Sequence, residues 1–261
     1  MQLASSIRTW IVLLIIIGLF SGCSGRKKWE DVQADVAWAK IQKYYKKKRY
    51  LDAIDHLEIF LINHSGAPMM DSAQFYIAEC HYNLKEYIIS ASEYEKLYMQ
   101  FPQSPLAEQA EYKLGMSYYE LSPKYSLDQR FTEQAISAFQ LYIEDFPETD
   151  GVKDAVEMID VCRNKIARKA YENGRLYQKV KEFHAAGIYF NNVLDNFYDT
   201  IYAPMSLYQR AEMHVANDEY SEAIEDYSVF LDKYGEHDWS VKALKALNRA
   251  REKAKKTKVE E

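Results

Sequence analysis

Residue types that carry chemistry are present in this chain, but not at the spacings that chemistry needs. The six histidines, His56, His64, His81, His184, His214 and His237, are scattered. None makes the His-x-x-x-His or His-Glu-x-x-His spacing that puts two imidazoles on one helix face around a metal. There is no glycine-rich phosphate loop and no Gly-x-Ser-x-Gly elbow, so neither a phosphate cradle nor an activated serine is written into the chain. Its carboxylates fall on polar helix faces, where solvation accounts for them. A net charge of −6 offers nucleic acid no electrostatic attraction. These patterns point away from an enzyme, a metal protein or a cofactor carrier. What remains is aromatic: 22 tyrosines, 11 phenylalanines and 4 tryptophans in 261 residues. A core that needed only bulk would use leucine, so part of this load is expected to face a partner.

The aromatic residues are ordered. Five times a small residue is followed by large ones at i+4, i+7 and i+11: Ala53/Leu57/Phe60/His64, Ser90/Tyr94/Leu97/Phe101, Ala135/Phe139/Tyr142/Phe146, Ala186/Phe190/Val193/Phe197 and Ala223/Tyr227/Phe230/Tyr234. Each is one stripe of an α-helix. The stripes recur after 37, 45, 51 and 37 residues, counted between His64, Phe101, Phe146, Phe197 and Tyr234, a period that marks stacked repeats. Twelve residues before Ser90, Ala186 and Ala223 stand Ala78, Gly174 and Ala211, small residues on a preceding helix where two helices approach closely. The same place is Ile41 in the first copy, and in the third Gly115 comes eight residues early. Small, then aromatic, then Pro at these offsets resembles the tetratricopeptide repeat, whose paired antiparallel helices stack into a superhelix. The expected fold is all-α: a tetratricopeptide-repeat superhelix of about five helix pairs plus a C-terminal capping helix.

The first helix of each pair lines the concave face of such a superhelix. With the small residue as the eighth place, the fifth is Trp38, Phe75, Tyr112, Tyr171 and Tyr208, and the twelfth is Tyr45, Tyr82, Tyr119, then Gln178 and Val215. Places seven apart share a helix face. Trp38, Tyr45, Phe75, Tyr82, Tyr112 and Tyr119 therefore read as a double ladder over the first three repeats. It is the expected slot for an extended or helical peptide gripped by its aromatic residues. Packing between helices is the competing use of the same rings. A carboxylate clamp is not supported, because Gln42, Glu79 and Met116 occupy the ninth place, where its cations would stand.

Residues 1–22 read as a leader. Arg8 gives it a positive start, and residues 10–20 are apolar and uncharged, too short to span a bilayer and the right length for a signal-peptide core. Phe20-Ser21-Gly22-Cys23 resembles the bacterial lipobox, with Phe20 where Leu is usual. That resemblance implies cleavage before Cys23, a diacylglycerol on its sulfur and an acyl chain on the new amine. Three chains anchor firmly, since each buried CH₂ contributes ~0.8 kcal/mol. Ser24 in place of Asp implies the outer membrane. Residues 23–31, with Arg26, Lys27 and Lys28, form a lipidated tether. Repeats 1–3 occupy 32–150, and repeats 4–5 with the capping helix occupy 151–254. Residues 255–261 are a charged tail expected to fray. The seam falls where a long helical stretch, about 152–179, begins. Within repeat 3, residues 121–130 insert a loop where a tight turn would suffice, and such loops tend to carry function. Asp71 reads as an N-cap. Cys80 and Cys162 fall on helices of different repeats, which favours buried thiols over a disulfide.

Residues 127–147 and 165–186, the latter continuing to Val193-Leu194 and Asp199-Thr200, together with the lipobox and the repeats, resemble the YfiO/ComL family of outer-membrane assembly lipoproteins. Ile166 stands for the family's Leu, and Phe197-Tyr198 for its Tyr-Pro. The resemblance spans the whole chain after the leader. It implies a non-enzymatic subunit without cofactors, lipid-anchored in the outer membrane and facing the periplasm. Such a subunit binds the barrel protein BamA through its C-terminal repeats, in company with other assembly lipoproteins. Its N-terminal repeats receive unfolded outer-membrane proteins, whose C-terminal signal usually ends in an aromatic residue. The aromatic ladder is then the substrate groove, and Lys165, Arg168 and Arg175 are the expected scaffold contact. The alternatives are a pilotin-like repeat lipoprotein serving a secretin or pilus, and a periplasmic cell-wall scaffold. Cys23→Ala is expected to abolish incorporation of labelled palmitate and to shift the chain out of the membrane fraction. Unaltered labelling would remove the anchor.

Overall fold

The computed structural model describes residues 32–260. The leader, Cys23 and the tether lie outside them. The described residues divide into two compact units, the first ending at Lys113 and the second beginning at Leu114. In the first, α1 (Ala34–Lys46), α2 (Tyr50–Asn63), α3 (Met70–Asn83) and α4 (Tyr87–Gln100) pack each against the next, and α5 (Ala107–Leu121) begins. In the second, α5 ends and is followed by α6 (Arg130–Asp145), α7 (Gly151–Lys179), α8 (Phe183–Asn196), α9 (Tyr202–Ala216), α10 (Tyr220–Lys233) and α11 (Ser240–Glu260). From α6 onward each packs against its successor. The described residues contain no strand. The fold is all-helical and built from helix pairs, as the periodicity requires. The division between units falls within α5, whereas the seam read from the repeats coincides with the start of α7.

The stripes form the core of each pair. Leu57 and Phe60, Tyr94 and Leu97, Phe139 and Tyr142, Phe190 and Val193, and Tyr227 and Phe230 are all buried, each set headed by a buried small residue. Burying one such side chain contributes roughly 1.5–3 kcal/mol. The i+11 residue does a different job. His64, Phe101, Phe146, Phe197 and Tyr234 are the C-cap residues of their helices, half-buried and extended enough to end the helix. In every copy the amide three residues on donates to the cap residue's carbonyl, from Ala67, Ser104, Thr149, Thr200 and His237. One turn therefore joins every pair to the next.

The turn inside each pair repeats too, and the sequence concealed it. Lys48, Lys85, Lys181 and Asp218 hold positive φ, between 56° and 64°, a conformation that glycine would adopt without strain. Repeat 3 replaces this turn with its insertion, residues 122–129. Gly115 still faces Phe139 there, so the eight extra residues lie between the two: five lengthen the loop, one extends the end of α5 and two extend the start of α6. Two expectations are corrected. Asp71 lies inside the first turn of α3 and does not cap it; its carboxylate accepts from the Ser72 amide at 2.6 Å and from Ser104 Oγ at 2.6 Å. α11 also runs on through Glu260, so the charged stretch expected to fray is helical.

Gly115 and Gly174 stand where a Cβ would come within 2.7 Å of Phe139 and 2.6 Å of Phe190. Both rings are fully buried and have nowhere to retreat. Gly174→Ala is expected to destabilise the chain by about 1–3 kcal/mol through overpacking, although alanine is the better helix former by ~1 kcal/mol. Gly187→Ala on α8, whose nearest neighbour is a flexible Met213 at 3.6 Å, is expected to stabilise it. Urea unfolding midpoints that moved in the same direction for both would contradict the close-approach account.

Candidate functional site: an aromatic patch and a basic pocket

The residues singled out in the sequence gather in two places, one in each unit. The first is an aromatic patch on α1 and α3. Trp38 and Tyr45 lie two turns apart on α1, and Tyr76 of α3 sits against both, with ring centroids 5.6 Å and 4.7 Å away in edge-on contact. Trp38 also touches Phe60 at 5.8 Å, and Tyr45 touches Tyr50 at 5.8 Å. Trp38, Tyr45 and Tyr76 are each only half-buried. Edge-to-face pairs of this kind contribute about 0.5–1.5 kcal/mol beyond area burial.

Glu79 is the electrostatic centre of this patch. Tyr45 donates to its Oε2 at 3.2 Å, and the buried Tyr94 donates to its Oε1. The Lys113 ammonium lies 3.4 Å from the same Oε1 and 4.7 Å from the Tyr82 ring centroid. Tyr82 in turn meets Tyr87 edge-on at 5.3 Å. Burial, and then the Glu79 charge, push the Tyr45 and Tyr94 hydroxyls upward, so both remain donors at any ordinary pH. The second unit repeats the device. Glu212 accepts from Tyr208 at 2.9 Å and from Tyr227.

Of the six ladder residues, the first unit brings Trp38, Tyr45 and Tyr82 into this network, and Tyr112 is half-buried on α5 beside Lys113. Phe75 departs from the expectation. It is 7% exposed, with its ring against Tyr94 and Tyr76, so it supports the patch and presents no face to a ligand. Tyr119 belongs to the second unit, half-buried, with the Lys165 ammonium 5.4 Å from its ring. The fifth-place rings Tyr171 and Tyr208 are buried core. Tyr76 went unseen in the sequence because stripe analysis treats each helix alone, and this ring packs backward onto the preceding pair. Glu79 had been weighed only as a missing cation.

The second place is the repeat 3 insertion, which α7 pins. Lys165 donates to Ser122 Oγ at 2.7 Å, and Lys169 donates to the Leu127 carbonyl at 2.8 Å. Gln129, buried, donates to the carbonyls of Lys124 and Leu127, both at 3.0 Å, and accepts from Thr132 Oγ1 at 2.7 Å. The loop is thus held at both ends, at Ser122 and at 127–129. Between it, α7 and the start of α9 lies a cavity of about 670 Å³ whose lining includes Lys124, Tyr125, Val161, Lys165, Arg168 and Tyr202. The exposed Arg168 guanidinium stacks on Tyr125 at 4.1 Å. Arg163 fixes the far wall by clamping Asp199 at 2.8 and 2.6 Å and the Asn196 carbonyl at 2.8 Å. That guanidinium holds the Asp199 carboxyl below its ordinary range. Of the three expected contact residues, Lys165 and Arg168 come together here. Arg175 does not; it is exposed, with its guanidinium 5.9 Å from the Tyr171 ring centroid.

Among the described residues no three His, Cys, Asp or Glu side chains are arranged to hold a metal, and no helix is long and apolar enough to cross a membrane. Cys80 and Cys162 are free and buried, and burial pushes their thiols up to about 12 and about 11. What the two places offer is partly exposed rings and cations, groups with which a chain can bind.

The profile of the family described as "YfiO: Outer membrane lipoprotein" matches residues 30–217. The outer membrane protein assembly factor BamD of Caulobacter vibrioides is 22% identical over 243 residues, covering 91% of this chain and 80% of its own length. BamD of Rickettsia prowazekii is 27% identical over 229 residues, covering 87% of this chain and 91% of its own. Among solved structures, the TPR2AB-domain:pHSP90-complex of yeast Sti1 is similar at 17% identity, covering 84% of this chain and 90% of that one, with a TM-score of 0.41.

The Glu79 network makes a distinction that can be measured. Glu79→Ala leaves the buried Tyr94 hydroxyl without its acceptor and is expected to cost about 1–3 kcal/mol. Glu79→Gln keeps one acceptor oxygen for the buried Tyr94, turns its NH₂ donor toward the half-buried Tyr45 hydroxyl, which then accepts, loses the pairing with Lys113, and is expected to cost less, under about 1 kcal/mol. Equal unfolding midpoints for the two variants would show that the hydroxyl contacts contribute nothing.

Proposed function

Because the chain belongs to the YfiO outer membrane lipoprotein family, we propose that it is a non-enzymatic, lipid-anchored subunit of the outer-membrane β-barrel assembly machinery. Acylated at Cys23, it stands on the periplasmic face of the outer membrane. Its later repeats, with Lys165, Arg168 and Arg175, hold a BamA-like barrel protein, and other assembly lipoproteins join them. Its early repeats receive unfolded outer-membrane proteins.

One observation supports this division above others: the half-exposed rings of the early repeats. Trp38, Tyr45, Tyr76 and Tyr82 keep part of their surface available, whereas in the last two repeats the fifth-place rings, Tyr171 and Tyr208, are buried as Phe75 is, and the twelfth places, Gln178 and Val215, carry no ring. The rings are fixed before any ligand arrives, Tyr45 by Glu79 and Tyr82 by Tyr87 and Lys113. A fixed ring loses little rotamer freedom on binding. A contact worth about 0.5–1.5 kcal/mol per aromatic pair suits a carrier, because several add up to recognition and none is too strong to release. An unfolded barrel segment rich in aromatic residues is the ligand that such a patch fits.

Affinity purification of the lipidated chain from solubilised membranes, with identification of what accompanies it, tests the assignment. A large outer-membrane barrel with periplasmic domains is expected; recovery of a secretin or wall hydrolases instead would overturn it. Within the patch, Tyr82→Ala combined with Tyr112→Ala is expected to weaken binding of an aromatic-ending barrel peptide by about tenfold or more, read by fluorescence anisotropy. Unchanged affinity in a variant with native circular dichroism would remove the patch from the substrate path.

A further inference from the structure

We infer that the outer face of α1 docks on the anionic phospholipid surface of the membrane that holds the chain, with a stripe of lysines laid along the headgroups. This rests on the reading that Cys23 is acylated, and it names the face that the anchor turns toward the bilayer.

Stacking explains why the face is available. In α3 the stripe Ala73/Ile77/Cys80 is buried in one cluster with Ala37 and Ile41 of α1, because the second pair closes on the first. Ile41 and Ala78 hold the same place in their repeats, so the matching stripe of α1 is Val36/Lys40/Lys43, continued by Lys47 just past its end. No described helix precedes α1 to cover it. All four residues are exposed, Val36 by 56%. Steps of four, three and four put them on one helix face.

The sign of the charge is uniform. Lys46 and Lys48 are exposed beside Lys47 and extend the stripe into the turn. Arg49, next in the chain, is engaged by Asp52 at 2.8 Å and lies over the Tyr44 ring at 4.9 Å. The single acid of α1, Asp35, turns onto the Val36 amide at 2.9 Å. The exposed face of α2, by contrast, carries Asp55 and Glu58. A polar outer face keeps any terminal repeat soluble, and mixed charge serves that end. A stripe of one sign in a chain of net charge −6 instead sets up a local positive potential.

A cluster of about four to eight cations on one helix is the footprint of an anionic lipid surface. Lysine stems can spread over the headgroups while Val36 enters between them. The tether favours lipid over other anions. Ten residues, 24–33, separate Cys23 from α1, a span of at most about 35 Å, and α1 itself is about 20 Å long. An acylated Cys23 therefore keeps the stripe near the bilayer at an effective concentration on the order of mM, where individually weak contacts suffice. A second copy of the chain would set lysine against lysine.

The test uses the chain from Ser24 onward, without acyl chains. It is co-sedimented with vesicles of phosphatidylethanolamine and phosphatidylglycerol, or of phosphatidylcholine alone, in about 0.1 M salt. The anionic vesicles are expected to bind at least about tenfold more tightly, with the preference shrinking as salt rises. Lys40→Gln with Lys43→Gln and Lys47→Gln is expected to remove the preference. Lys245→Gln with Arg251→Gln and Lys256→Gln, an equal change of charge on α11, is expected to leave it. Native circular dichroism is checked for both sets. Equal binding of the two vesicles, a preference that survives the α1 substitutions, or equal loss from the α11 substitutions would each overturn the inference. So would binding of polyglutamate through α1 in the absence of vesicle binding, which would assign the face to an acidic protein. Palmitate labelling at Cys23 separates this from the broader reading. A labelled chain whose unacylated form ignores anionic vesicles keeps the anchor and loses the docking face. An unlabelled chain that binds them through α1 keeps the docking face and loses the anchor.

Discussion

The architecture depends on one steric condition, that two helices approach closely enough for an aromatic ring on one to occupy the space where the other has no side chain. Gly115 beneath Phe139 and Gly174 beneath Phe190 are its limiting cases, with a Cβ position under 3 Å from the ring. Ala78 and Ala211 meet it with a single methyl, buried completely. The condition fixes the crossing of each pair, and the crossing fixes which residues of the first helix face inward. The fifth and twelfth places acquire meaning only because the eighth is small. Where the eighth place is Ile41, the partner in the stripe is Leu57, fully buried with Phe60, so bulk moves from one helix to the other while the pair closes in the same way.

Polar groups inside this frame are placed by hydrogen bonding, and they set where it is rigid. Glu79 on α3 collects tyrosine hydroxyls from α1 and α4, and Glu212 collects one from its own helix α9 and one from α10. A charged acceptor shared by buried hydroxyls satisfies several polar groups at once, where any one left alone would weaken the core. The insertion of repeat 3 follows the same logic outside the core. A loop of eight residues, 122–129, would ordinarily be mobile. Here Gln129 turns inward to bind two carbonyls of its own loop, and two lysines of α7 bind from the other side. The insertion thereby becomes a fixed wall with Tyr125 mounted on it.

Much of this was legible in the sequence because periodicity reports packing directly. The stripes Ala53 to Phe60 and their four counterparts are buried where the 3.6-residue pattern put them, and helix pairs follow. Legibility stopped where the deciding contact crosses between pairs or depends on backbone conformation. Tyr76 sits next to Phe75 in sequence, yet it packs the other way, onto Trp38 and Tyr45. Phe75, at an apparently matching ladder position, is core. The turns within pairs lacked glycine, so nothing in residue type revealed that Lys48, Lys85, Lys181 and Asp218 hold left-handed backbone. Arg163 and Asp199 are 36 residues apart, with no pattern to join them. The charges after Ala254 suggested fraying, but α11 continues through Glu260, with Ala243, Ala246 and Ala250 packed.

The two candidate surfaces differ in a way that bears on how such a chain works. In the patch of the first unit the rings are partly open and the charges are spent internally, Lys113 against Glu79. In the cavity of the second unit no carboxylate stands in the lining, Lys165 is spent on Ser122 Oγ, and the Tyr125 ring is spent beneath the exposed Arg168. Recognition through open rings tolerates many sequences, because every apolar or aromatic residue offers a surface to stack on, and contributes little per contact. Recognition through fixed, unneutralised cations depends on geometry and rejects a partner that lacks the matching charge. The proposed role, passing varied unfolded clients to one scaffold, calls for the first property at one surface and the second at another. The repeat frame allows both, since each pair carries its own exposed residues while the small-against-aromatic contact that closes the pair stays unchanged.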